Sequence, residues 1–209
     1  MAGLDCVALV HEPEAAFLGA TFEEDSRNVK IEDHFCVIFD FGGHRLAVSV
    51  LKVTNGRPQI VGHHEDDSIG GRFIDEMLID QFLLDFYKRS GRDFSHKRSV
   101  RHAMRLDVEL AKWNLEKQKG IRLLATDNKT GISIDCMTTK EQLDRIVQVH
   151  IIPKFEKTVD QALVKADRQL SEIGRVVLCG GSMHIPAIQQ WAHPYFKQSS
   201  TIYKMFPEA

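Results

Sequence analysis

Phe35-Cys36-Val37-Ile38-Phe39-Asp40-Phe41-Gly42-Gly43 is the stretch from which the fold can be read. Residues 35–39 are apolar at every position, the pattern of a strand buried on both faces rather than one lying on a surface. A carboxylate and two glycines follow at once, so the strand ends in a tight turn. Leu46 to Val53 is again apolar and β-branched, Asn55-Gly56 is a hairpin signal, and Gln59 to His63 reads as the returning strand. The three together predict a β-meander. Upstream, residues 2–10 read as a short strand ending ahead of Pro13, with a helix from Glu14 to Thr21 and a polar connection over 23–33.

Past Gly70-Gly71 the apolar period changes from strand to helix. Phe73, Met77, Leu78, Phe82 and Leu83 fall at helical spacing, and Val100, Met104, Val108, Ala111 and Leu115 mark a second amphipathic helix over 99–118. A basic linker, 88–98, joins the two. Arg122–Ala125 and Ile132–Asp135 flank a turn and predict a second hairpin. Thr138 with Glu141 reads as a capping box, opening a helix that breaks or kinks at Pro153 and continues to about Ala166. Arg175–Cys179 is a buried strand, Gly180-Gly181-Ser182 a turn, and Ile185 to Tyr195 a final helix with Pro186 in its first turn. A meander followed by alternating helix and strand predicts an α/β fold, with 70–140 inserted as a smaller α+β unit.

Composition narrows the function classes. The chain carries 27 Lys+Arg against 29 Asp+Glu, a formal charge of −2, which gives no general attraction to nucleic acid or an anionic membrane. No apolar run approaches the ~20 residues of a membrane span, and the start Met1-Ala2-Gly3-Leu4-Asp5 lacks a secretory signal pattern. Four scattered cysteines exclude a disulfide scaffold and point to a reducing, cytoplasmic setting. The 10 histidines show no metal-ligand spacing, and neither a Walker A loop nor a Gly-x-Ser-x-Gly elbow occurs.

Several places could hold chemistry. Asp40 with Gly42 and Gly43 can cradle a phosphate and reach Mg²⁺, although a plain tight turn would look the same. Gly180-Gly181-Ser182 joins a strand to a helix, where α/β sheets bind ligands. Gly70 and Gly71 make a third diglycine, and three such turns can converge on one ligand. Glu109 and Lys112 share a helix face, as surface pairs also do. Glu12 beside Pro13 could act on a water, and Trp113 and Trp191 read as packing residues.

Taken in order, His11-Glu12-Pro13-Glu14-Ala15-Ala16, Asp40-Phe41-Gly42-Gly43, Ile69-Gly70-Gly71, Glu109-x-x-Lys112 and Val177-Leu178-Cys179-Gly180-Gly181-Ser182-Met183-His184-Ile185-Pro186 resemble the 70-kDa heat-shock chaperone family. The resemblance is to lobe II of its nucleotide-binding domain, in a divergent member. It implies the actin-like ATPase (ribonuclease H-like) fold, with 1–69 plus 141–209 as core subdomain and 70–140 as the insert. It also implies ATP/ADP and Mg²⁺ as cofactors. By position, Glu12 and Asp40 correspond to the family's catalytic carboxylates, near Mg²⁺ through water. Gly42, Gly43, Gly70, Gly71, Glu109, Lys112, Gly180, Gly181 and Ser182 correspond to nucleotide-binding positions, while Trp113 and His184 stand where adenine-stacking arginines are expected. Nucleotide, J-domain co-chaperones and nucleotide-exchange factors are the implied partners.

The departures carry their own expectations. His44, Arg45 and Ala47 replace a glycine, a threonine and an aspartate of the phosphate loop, so His44 is expected to crowd the phosphate and Arg45 to supply positive charge. Ala8 and Glu14 replace residues used in docking J-domains. The chain reads as a fragment lacking lobe I and the peptide-binding domain, and is therefore expected to bind nucleotide without turning it over. The competing reading is a non-catalytic module that docks co-chaperones without nucleotide. A sugar kinase of the same fold ranks last, for want of a catalytic base and a sugar pocket.

Overall fold

The computed structural model describes residues 8–26, 32–115, 118, 120–197 and 201–205. Its five-stranded sheet has the order β3-β2-β1-β6-β7, where β1 is His34–Phe41, β2 Leu46–Thr54, β3 Arg57–Asp66, β6 Ile173–Cys179 and β7 Thr201–Met205. β1, β2 and β3 pair antiparallel as a meander, while β6 lies parallel to β1 and β7 parallel to β6. Asn55 and Gly56 both have positive φ, 51° and 75°, the backbone of a two-residue turn whose twist matches its strands.

β1 is buried on both faces, as its unbroken apolar run requires. Val37, Phe39 and Phe41 point into the larger core, and Cys36 and Ile38 into a smaller one beneath α1 (Glu12–Ser26), where Phe17 is fully buried. Phe39 and Phe41 meet Phe155 edge-on at ring distances of 5.1 and 4.8 Å, and in the same cluster Trp191 stacks on Tyr195 and lies tilted against Phe155. Because strand side chains alternate, this anchoring turns Asp40 to the opposite face.

α2 (Gly71–Ser90) and α3 (Arg98–Asn114) pack beside a separate hairpin of β4 (Gly120–Asp127) and β5 (Ile132–Thr139). Lys97 Nζ lies 2.5 Å from Asp127 Oδ2, and Thr130 Oγ1 donates to the same oxygen at 2.6 Å. Hydrogen bonding from Lys97 leads in holding the Asp127 carboxyl below the ordinary carboxylate range. A depressed pKa contributes stability above the ordinary value of about 4, lost as pH falls through the folded-state value. Asp127→Asn should therefore flatten the acid limb: wild type loses more stability than the variant between about pH 4 and pH 2 in denaturant titrations. Parallel limbs would refute this.

Several sequence expectations need correction. Residues 1–7 lie outside the described residues, and 8–10 form no strand. The first helix runs from Glu12 to Ser26, longer at both ends than expected. The cap of α4 (Lys140–Ile146) is Thr139 with Gln142, not Thr138 with Glu141; Gln142 Oε1 accepts from Thr139 N at 3.0 Å, while Thr138 is fully buried. The break expected at Pro153 falls just ahead of it, where α4 ends at Ile146 and a new α-helix starts at Ile152. A π-helical turn at Val147–Ile151 absorbs the misfit, and α5 (Ile152–Ala166) starts with the proline in its first turn. After α6 (Pro186–Lys197), β7 extends the sheet by a strand that the sequence reading did not anticipate.

Candidate nucleotide cleft

β1, β3 and β6 run in the same direction, since β2 reverses the chain and β3 reverses it again. Their carboxyl ends therefore share one edge of the sheet, and the diglycines that follow them come together there. This is the edge at which open α/β sheets place ligands.

The glycines divide into two kinds. Some allow the loops to interlock: Gly71 N donates to Gly42 O at 3.0 Å, Arg72 N to Gly43 O at 2.9 Å, and Ser182 Oγ to Gly42 O at 2.9 Å. A Cβ at Gly70 would lie 2.6 Å from the His44 carbonyl carbon, and one at Gly71 would overlap the Ser182 hydroxyl. Gly180 has φ +94°, and its Cβ would lie 2.5 Å from Asp40 Oδ1. Gly43 and Gly181 are different, with nothing within 4 Å of an added Cβ. Those two leave bare backbone on the cleft.

The cleft has a volume of about 630 Å³. One wall carries Gly43, Gly71, Gly181 and Ser182, and the other carries Glu109 and Lys112 of α3 with Asp75 and Glu76 of α2. Lys112 is only 4% exposed; its Nζ lies 2.6 Å from Asp75 Oδ1 and donates to Gly71 O at 3.2 Å. Burial pushes the Asp75 carboxyl above the ordinary carboxylate range, against the pull of Lys112. Glu76 pairs with Arg101 and, at 2.8 Å, with Arg105.

Gly42, Gly70 and Gly180 sit behind the glycine wall, and His184 is half-buried at the end of the short 3₁₀ turn Gly181–His184. The Trp113 side chain lies outside the described residues.

Glu12 and Asp40 line a separate cavity of about 70 Å³ on the α1 face, with Arg45, Ser49, His63, Glu65 and Cys179. Burial first, and the charge of Glu12 second, raise the Asp40 carboxyl, with Arg45 opposing. Burial likewise pushes the Cys179 thiol up to about 12. Glu65 Oε1 accepts from His63 Nε2 at 3.1 Å, which leaves Nδ1 to accept the Ser49 hydroxyl at 2.8 Å. Arg45 Nη1 donates to Glu65 Oε2 at 3.2 Å. Arg45 thus faces this cavity, beside Glu12 and Asp40, rather than the cleft. His44 turns instead toward Arg72, whose Nη1 donates to His44 Nε2 at 2.7 Å.

Among the described residues no group of three or more His, Cys, Asp or Glu could hold a metal ion. Two mutually repelling carboxylates nonetheless suit a hydrated Mg²⁺, whose own water fills most of its coordination sphere.

Sequence reasoning missed Asp75 and Arg72. Each lies on α2 just beyond the Gly70-Gly71 turn, and that proximity was the available signal.

A mixed sheet flanked by helices, with glycine turns meeting at its carboxyl edge, is the architecture of an actin-like ATPase lobe. The family model described as Hsp70 protein matches residues 1–203, and the chain belongs to that family. Similar relatives are proteins named chaperone protein DnaK. The one from Cenarchaeum symbiosum is 29% identical over 91% of this chain and 29% of its own length. That from Nitrosopumilus maritimus is 28% identical over 91% of this chain and 30% of its own. A third, from Mycoplasmopsis pulmonis, is 26% identical over 90% of this chain and 31% of its own. The chain therefore spans less than a third of the length of these relatives.

Proposed function

We propose that the cleft binds an adenine nucleotide and that this chain is the nucleotide-binding half of a divergent Hsp70-type chaperone ATPase. The observation that carries this is the cleft itself. Gly43, Gly71, Glu109, Lys112, Gly181 and Ser182 come from four separate stretches of sequence and line one cavity. Glu109 and Lys112 stand where they can hold a ribose, and the bare backbone at Gly43 and Gly181 lets phosphate and adenosine approach closely. Lys112, with Asp75 on one side and Gly71 O on another, is a preorganised donor.

Glu12 and Asp40 are the residues that would hold Mg²⁺ through water; Mg²⁺ would supply charge neutralisation to the phosphates. Phosphoryl transfer depends on groups positioned from both sides of the phosphate, and these residues occupy only one side. We accordingly assign nucleotide binding, and not turnover, to this chain. Residues 70–140 act as a smaller subdomain closing over the base. In the parent chaperone, J-domain co-chaperones and nucleotide-exchange factors are the expected partners. Among the described residues no helix is long and apolar enough to cross a membrane, and the thiols of Cys36, Cys136 and Cys179 are free, which suits the cytoplasm.

The test is calorimetric titration of ADP and ATP, with and without Mg²⁺, into wild type and Gly181→Val. The valine side chain has room to stand, but it fills the cleft. Affinity should fall by about a hundredfold or more, with the melting temperature unchanged. Wild type that binds neither nucleotide at millimolar concentration would overturn the proposal and leave a protein-docking module.

A further inference from the structure

The charges in the cleft are unevenly compensated. Lys112 is tied to Asp75, and Arg105 to Glu76. Arg72, in the first turn of α2, is exposed, and among the described residues no carboxylate pairs with it. Its hydrogen-bond partner is His44, and the direction of that bond matters. The guanidinium can only donate, so His44 Nε2 accepts and the ring is neutral in this arrangement. A neutral acceptor leaves the charge of Arg72 uncompensated. Both side chains border the cleft beside Gly43, whose backbone is bare on that side. The carboxylates Glu12 and Asp40 and the guanidinium of Arg45 line the other cavity instead.

We propose that Arg72 and His44 bind the phosphate chain of the ligand directly, a contact that needs no divalent cation and adds to the charge neutralisation that Mg²⁺ at Glu12 and Asp40 would supply. The inference rests on the nucleotide reading for the identity of the ligand, although the phosphate chemistry stands apart from the base. A guanidinium offers two parallel N–H donors, which match two oxygens of one phosphate. The incoming anion displaces the Arg72–His44 bond, and the imidazole, freed from accepting, turns a donor toward the same oxygens. His44, at the place expected to obstruct the phosphate, thereby becomes part of its site.

The experiment is titration in EDTA with adenosine, AMP, ADP and inorganic pyrophosphate, on wild type, Arg72→Gln and His44→Gln, with thermal melting as the folding control. Wild type should bind ADP at least about tenfold tighter than adenosine. Arg72→Gln should lose that advantage, His44→Gln should lose part of it, and adenosine should bind all three alike. Pyrophosphate bound by wild type and not by Arg72→Gln supports the subsite even if adenosine fails to bind, an outcome that would remove the nucleotide reading alone. An ADP advantage that survives Arg72→Gln, or that appears only when Mg²⁺ is restored, overturns the inference. So does an equal affinity for ADP and adenosine with no pyrophosphate binding.

Discussion

Lys112→Met should destabilise the protein by about 3–5 kcal/mol, because it leaves the carboxylate of Asp75 buried without its partner. For a chain of this size that is a fall in melting temperature of roughly 10 °C. Net stabilities of about 5–15 kcal/mol leave the variant close to unfolding, so a second variant is needed to separate the causes. Asp75→Leu with Lys112→Met replaces both charges by apolar groups. It should recover most of the lost stability, since a buried pair gains little net energy over well-packed hydrophobic residues. Nucleotide affinity should not recover with it, because Lys112 is also the donor that faces the cleft. Urea denaturation of both variants checks the first statement and calorimetry the second. A double variant that regains binding would show that Lys112 acts only as a structural partner.

Gly180→Ala is the second large effect. At φ +94° an L side chain is strained by about 1–3 kcal/mol. Its Cβ would also press on the Phe41 carbonyl and on Asp40 Oδ1, which are held by the packing of β1. The expected loss is about 3 kcal/mol or more. Gly181→Ala is the matched control, one residue on in the same loop, with open space at its Cβ and no positive φ; it should cost less than about 1 kcal/mol. Equal losses from the two alanines would show that the loop relaxes, and would refute the close approach of Gly180 to β1.

The contrast between these neighbours shows what a sequence can carry. The dipeptide Gly180-Gly181 marks a turn beside a ligand edge, and Asn55-Gly56 marks a hairpin, because backbone conformation is a local property of residue type. The run 35–39, apolar at every position, foretold a strand covered on both faces for the same reason. The faces of α3 were legible from period alone: Val100, Met104, Val108 and Ala111 are all buried. Where the reading failed, neighbours distant in sequence decided. β7 has five residues and exists through its parallel pairing with β6. Thr139 rather than Thr138 caps α4 because the last residues of β5 alternate, and Thr138 is the one turned inward.

The candidate site divides along the same line. The sequence by itself determined the α/β class, the three diglycine turns and the placing of Glu109 and Lys112 on one helix face. Those follow from periodicity and from the backbone freedom of glycine. Only the tertiary structure decided which glycines lock the loops and which stay bare. It alone gave Lys112 to Asp75, Arg45 to Glu65 and Arg72 to His44. Arg45 lies next to His44 in the chain yet faces a different cavity, while Arg72 reaches His44 from another element. The physical reason is that charge pairing acts through space over a few ångströms, and folding sets those distances without regard to separation along the chain.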